Sequence, residues 1–181
     1  MKGVVFTEFL EMVEDRFSPD MVDTIIEGAE LGSGGVYTTL GTYDYGEMVR
    51  LVTQLAEATG AEVPALLHAF GVHLFGRFTV AHPHFFKEGS TAFEFLAGVN
   101  DYIHVEVRKL YADAELPVFE HDDSKPDTLV MLYRSSRPFG DLAEGLIQGC
   151  IKHFGEHIDV QRENLESEPK TVVRFTLTKK N

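Results

Sequence analysis

The sequence predicts an α+β protein in which an N-terminal helical lobe packs on a larger lobe of long helices and a four-stranded antiparallel sheet. Two observations carry this expectation. Apolar residues recur at helical spacing through most of the first 110 positions, whereas the strand-like runs, Val118 to His121, Thr128 to Tyr133, His157 to Arg162 and Thr171 to Thr178, fall late in the chain. Strands and helices also fail to alternate in the β-α-β manner that builds a parallel sheet. A chain of 181 residues fits one domain, here with lobes of about 1–60 and about 61–181.

Taken in order, Val5, Phe6, Phe9, Leu10, Met12, Val13 and Phe17 share one face of a first helix, with Glu8, Glu11, Glu14 and Asp15 toward water. Ser18-Pro19-Asp20 reads as an N-cap, a first-turn Pro and an acid that complements the helix dipole, opening a second helix to Gly28. Gly32-Ser33-Gly34-Gly35 breaks the pattern and marks Leu31 to Thr42 as loop. Asp44 and Glu47 form a capping pair for a third helix that stops at Gly60. Pro64 opens a fourth, apolar on more than one side through Phe78, in which Gly71 and Gly76 point to a packing or pivot reason. Helical pattern resumes from Thr91 to Leu110 with a joint near Gly98 and Asn100. A hairpin turning at Asp123-Ser124-Lys125-Pro126 follows, then a helix from about Phe139 to Phe154, and a closing hairpin joined by Asn164 to Lys170.

Lys plus Arg number 16 against 29 Asp plus Glu, a formal charge of -13 that opposes binding to nucleic acid or an anionic membrane surface. The longest apolar runs fall short of the roughly eighteen residues of a membrane span, and the N-terminus lacks the apolar core of a signal peptide, so a cytoplasmic protein is expected. Cys150 stands alone and can form neither an internal disulfide nor a cysteine-based zinc site.

The chemistry-bearing stretch is Tyr133-Arg134-Ser135-Ser136-Arg137. Alternate side chains of a strand share a face, so Tyr133, Ser135 and Arg137 would present two hydroxyls and a guanidinium together, a row suited to a carboxylate or phosphate. About thirty residues upstream, on a helix, lies His104. It is either a histidine satisfied by its neighbours or an axial ligand to iron, and spacing does not decide between them. Haem is a flat apolar disc with two carboxylates on one edge, and it needs an axial ligand, apolar walls and donors at one rim; the chain supplies each. His82 and His84 flank Pro83 without a nearby third ligand and read as a surface turn.

With the start Phe6-Thr7-Glu8-Phe9-Leu10, His104 on its helix, the Leu116-Pro117 segment, and above all Tyr133, Ser135 and Arg137, the chain resembles an H-NOX domain. This is the haem nitric oxide and oxygen binding family that includes the sensor domain of soluble guanylate cyclase, and the resemblance covers essentially the whole chain. It implies haem b (iron protoporphyrin IX) between the lobes, with His104 as proximal ligand and Tyr133, Ser135 and Arg137 on the propionates. It further implies that Pro117 presses the haem out of plane and that Val5, Phe9, Phe78 and Leu146 form walls.

Oxygen-binding members carry a distal tyrosine at the position that Leu142 matches, so the resemblance implies a sensor of nitric oxide, also binding carbon monoxide, unless His73 or another tyrosine supplies a donor. The signal is expected to follow rupture of the iron bond to His104, flattening of the haem and rotation of the lobes. The chain ends without a catalytic module, so the expected recipient is a separate effector, a histidine kinase or a diguanylate cyclase or phosphodiesterase. The competing readings are a haem peroxidase or oxygenase, against which the pocket near Val5, Phe9, Leu142 and Leu146 lacks acid and base groups, an oxygen-binding member of the family, and a haem-free carboxylate-binding module.

Overall fold

The computed structural model describes residues 1–165 and 170–180. Its helices are α1 (Gly3–Arg16), α2 (Pro19–Gly28), α3 (Tyr45–Thr59), α4 (Val63–Ala81), α5 (Ala92–Ala97), α6 (His104–Leu110) and α7 (Gly140–Phe154). The strands β1 (Val118–Lys125), β2 (Thr128–Ser135), β3 (Ile158–Leu165) and β4 (Thr171–Lys179) form one antiparallel sheet in the order β1-β2-β4-β3. Local chemistry sets most of the boundaries. Ser18 accepts the Met21 N–H to cap α2 ahead of Pro19, and Gly60 ends α3 in the left-handed region at φ 73°.

Two apolar cores result. One gathers Phe6, Phe9, Met12, Ile25, Met48 and Leu51 from α1 to α3, together with Leu66, Leu67, Phe70 and Leu74 of α4. The other lies between the sheet and α7, from Leu129, Met131, Phe175 and Leu177 to Ala143, Ile147 and Ile151, with Phe75 of α4. α4 thus contributes to both cores, and Phe139 and Leu142 at the start of α7 join the first. α4 has the length and apolar composition of a membrane-crossing helix, with 19 residues and a mean hydropathy of 1.2. Its uninterrupted apolar runs are nonetheless short, broken by His68, His73 and Arg77, and the apolarity is used to pack against both cores.

The crossing of α4 and α7 depends on missing side chains. A β-carbon on Gly145 would overlap the His68 carbonyl, and one on Gly71 would overlap the Leu142 carbonyl and stand 2.7 Å from Leu146 N. Gly71 thus has the packing role expected of it. Gly76 does not, because its β-carbon would meet open space.

Other differences have local causes. The helix expected from Thr91 to Leu110 is interrupted at its predicted joint by a wider π-type turn, Val99–Ile103. β1 runs on to Lys125 through a bulge after Asp122, whose carboxylate accepts the Ser124 N–H, and the turn tightens to Pro126-Asp127. β3 extends to Leu165, so the expected connection from Asn164 begins later, and its residues 166–169 lie outside the described residues. Asp44 caps α3 through Gly46 N, but Glu47 does not complete the predicted capping pair.

Instead Glu47 is buried and accepts from Ser33 N (3.0 Å), Ser33 Oγ (2.5 Å) and Tyr37 OH (2.7 Å), stapling the glycine loop to α3. Burial pushes its carboxyl upward, and the Ser33 and Tyr37 hydrogen bonds outweigh that and hold it below its usual value. A depressed carboxylate contributes stability above its unfolded pKa and loses it as pH falls through the folded value. Glu47→Gln is accordingly expected to lower unfolding stability near neutral pH by about 2 kcal/mol. The deficit, read from urea midpoints, should shrink as pH is lowered through the acid range.

Candidate functional site

A cavity of about 840 Å³ opens where the chain start, the start of α3, the ends of α4 and β2, α6 and α7 converge. Its volume lies in the range of roughly 300 to 1,000 Å³ usual for small-molecule sites. The walls are mainly apolar and include Val5, Leu74, Phe78, Leu142, Leu146 and Ile147.

His104 is the first residue of α6, directly after the π-type turn. Within that turn Ile103 N bonds back to Gly98 O (3.3 Å) and His104 N to Val99 O. The imidazole is buried and lines the cavity. Burial, reinforced by nearby Arg108, pushes its pKa down to about 4, so the ring is neutral near pH 7 and has a free nitrogen lone pair. Its Nδ1 is buried without a hydrogen-bond partner. Its ring stands 5.9 Å from that of Phe119, which lies 5.4 Å from the ring of Tyr133.

Tyr133 is the buried end of β2, where it faces the sheet core, and burial raises its pKa. Ser135 is the last residue of the strand, and its Oγ accepts the Arg137 N–H at 3.0 Å. Arg137 therefore does not extend the strand row, as the alternation had implied. It lies beyond the strand end, where a serine turn brings it back, and all three side chains line the cavity. The Arg137 guanidinium donates to Glu115 O (3.2 Å) and Glu115 Oε2 (2.6 Å) and lies 5.8 Å from the Tyr45 ring centroid.

Of the remaining residues singled out from the sequence, Pro117, Val5, Phe78, Leu142 and Leu146 all line the cavity. Phe9 does not: it is fully buried in the helical core, edge-on to Phe70 at 5.2 Å. Both Val5 and Phe9 belong to the apolar side of α1, but four residues of helix carry Phe9 away from the opening. His73 is also removed, with its Nε2 3.8 Å from Glu8 Oε2. His82, read as part of a surface turn, lines the cavity beside Phe78 and Phe85, while His84 is exposed. Among the described residues no three His, Cys, Asp or Glu side chains gather as a metal site.

Lys2, Tyr45, Asp113 and Glu115 also line the cavity and were not identified from the sequence. Their partners lie far off in the chain, and no periodicity marks them. The site as a whole presents a neutral, unpartnered imidazole in an apolar chamber with hydroxyls and a guanidinium at one rim. That donor set fits a haem.

Comparison with known proteins agrees. Residues 2–162 match the family model described as Haem-NO-binding. Among solved structures, the Fe(II) unliganded H-NOX protein mutant A71G from K. algicida is similar at 39% identity and a TM-score of 0.93, over 100% of this chain and 97% of that one. The IWP-051-bound H-NOX from Shewanella woodyi in the Fe(II)CO ligation state is similar at 38% identity and a TM-score of 0.84, over 99% and 95%. The S. oneidensis H-NOX protein in the Fe(II)NO ligation state, at 23% identity and a TM-score of 0.91 over 100% of both chains, shares the fold. No match is found among curated proteins. The chain belongs to the Haem-NO-binding, or H-NOX, family of haem-binding gas-sensor domains.

Proposed function

We propose that the chain senses nitric oxide through haem b and passes the signal to a separate effector. His104 is the axial ligand, and Tyr133, Ser135 and Arg137 hold the two propionates. Val5, Phe78, Leu142 and Leu146 wall the disc, and Pro117 bears on it from the segment after α6. The bound ferrous iron supplies an open coordination position for a neutral diatomic gas.

The observation that carries the choice of gas is the face of α7. Its cavity-lining residues Leu142, Ala143, Leu146 and Ile147 offer no hydrogen-bond donor. The Tyr43 hydroxyl, elsewhere on the wall, accepts the Thr38 N–H at 2.9 Å and stands 3.4 Å from Thr38 Oγ1, the partner available to its own proton, and Tyr45 sits at the Arg137 rim against Phe139. Dioxygen acquires negative charge on ferrous iron and requires a donor, whereas nitric oxide and carbon monoxide do not. The same apolar face supports a sensor over a peroxidase or oxygenase, which needs a positioned acid or base.

His104 would be the ligand whose hold on the group answers to the gas. Its release would free α6 and the Pro117 segment to move and let the lobes of about 1–60 and 61–181 turn against each other, a two-state switch biased by the gas. The recipient proposed is a histidine kinase or a diguanylate cyclase or phosphodiesterase. The test is the absorption spectrum of the ferrous haem-loaded protein. A five-coordinate spectrum that persists in air and shifts on adding nitric oxide is expected. A stable oxy complex, or turnover of peroxide, overturns the reading.

A further inference from the structure

The segment from Tyr111 to Pro117, between α6 and β1, is gripped at two points. On the sheet side Arg137 holds Glu115. On the other side the grip comes from the chain start. Lys2 Nζ donates to Leu40 O (2.7 Å), Thr42 Oγ1 (2.7 Å) and both oxygens of Asp113 (3.0 and 3.3 Å). Thr42 Oγ1 in turn donates to Asp113 Oδ2 at 2.6 Å, and the Lys2 ammonium lies 5.5 Å from the Tyr111 ring centroid.

Lys2 and Thr42 belong to one stiff piece of the helical lobe. Gly3 N bonds Gly41 O (2.8 Å), Val4 N bonds Thr39 O (3.1 Å), and Tyr43 N bonds Met1 O (2.9 Å). The fit excludes a β-carbon at position 3, which would overlap the Thr38 carbonyl. Most exposed ion pairs contribute little because both side chains remain free to move. Here the lysine side chain is only 11% exposed and its three donors are all engaged, so the geometry is held even though Asp113 is 61% exposed. The Asp113 carboxyl, hydrogen-bonded by Thr42 and Lys2, is held down to about 2, so the pair stays charged throughout the physiological range.

The placement gives this clasp a use. Asp113 lies between His104 and Pro117 in the chain, and Lys2, Thr42, Tyr111, Asp113 and Pro117 all line the same cavity. We infer that Lys2 and Asp113 are positioning residues, whose ion pair ties the His104-bearing segment to the helical lobe and thereby sets the strength of the iron–His104 bond. The clasp joins the two parts whose relative movement constitutes the switch. Neither Lys2 nor Asp113 is among the residues proposed to hold the haem, so their substitution leaves the ligand itself in place. This inference rests on the ligation by His104 proposed above.

The test uses the haem-loaded full chain as wild type, Asp113→Asn, Lys2→Met, Thr42→Val and the reversed pair Lys2→Asp/Asp113→Lys. Resonance Raman gives the iron–histidine stretching line of the ferrous protein, stopped flow gives the carbon monoxide dissociation rate, and thermal melts monitor the fold. Asp113→Asn and Lys2→Met should each shift the line and change the rate by about fivefold, the lower end of ordinary coupling between sites. Thr42→Val should shift both less and in the same direction, and the reversed pair should move both back toward wild type. A purely structural pair would alter the melting temperature while leaving the line and the rate at wild-type values, and that result overturns the inference. A wild-type protein without an iron–histidine line would instead overturn the ligation by His104, and this inference with it, before any clasp variant is measured.

Discussion

His104→Gly is expected to abolish the iron–histidine stretching line of the ferrous protein and, with it, the structural response to nitric oxide, while free imidazole should restore ligation. His104 is buried on the cavity wall, and burial keeps it neutral with its pKa pushed to about 4, so the native ring needs no deprotonation to bind a metal near pH 7. The fold should survive the change. The Nδ1 atom makes no hydrogen bond that removal would leave broken, and the turn that leads into the residue is held by backbone bonds to Gly98 and Val99. Circular dichroism and the melt would therefore stay near wild type while the Raman line disappears. Persistence of the line in the glycine variant would assign the axial position to another residue, and His82, also on the cavity wall, is the first to examine.

Arg137→Ala should accelerate haem loss to an acceptor such as apomyoglobin by about tenfold or more. Hydrogen bonds to charged groups contribute roughly 1.5 to 3 kcal/mol, and about 1.4 kcal/mol is a factor of ten. The Arg137 side chain is 14% exposed and is fixed by the Ser135 turn, by Glu115 and by the Tyr45 ring, so little ordering is required when it meets a propionate. Tyr133→Phe and Ser135→Ala each remove one neutral hydroxyl and should have smaller effects, about threefold. Equal loss rates in Arg137→Ala and wild type would remove the guanidinium from the rim assignment.

The two substitutions separate the functions of the site. The rim residues stand on the sheet end and the α7 approach, whose packing joins Tyr133, Val173 and Phe175 into one core. His104 stands on a short helix behind an irregular turn, connected to its surroundings through the Tyr111 to Pro117 segment and its two ionic grips. Losing Arg137 is expected to weaken retention of the haem. Losing His104 is expected to remove the bond on which the proposed switch acts.

Much of this was legible in the sequence because it is written locally. Ser18-Pro19 caps α2 with a side chain three residues from the bonded amide, and the alternation in β2 buries Leu129, Met131 and Tyr133 on one face. The joint near Gly98 and Asn100 was visible within the helical pattern, although only the folded chain shows it as the wider turn that leads into His104. Glu47 was misassigned for the opposite reason. A capping pair is a pattern four residues long, and the carboxylate's actual partners, Ser33 and Tyr37, lie fourteen and ten residues away on a loop without period.

By itself the sequence determined the elements, their order and the antiparallel sheet, and it placed a histidine on a helix upstream of a Tyr-x-Ser-x-Arg row. These follow from hydrophobic period and from side chains within a few positions of one another. Only the tertiary structure decided that Phe9 fills the helical core while Val5 reaches the cavity, that Arg137 meets Glu115, and that Lys2 grips Asp113 at a separation of 111 residues. Such contacts join charged or apolar side chains that look ordinary in their own neighbourhoods. They become specific only when the packing of α4 against α7, and of the chain start against residues 39 to 43, fixes which of them face each other.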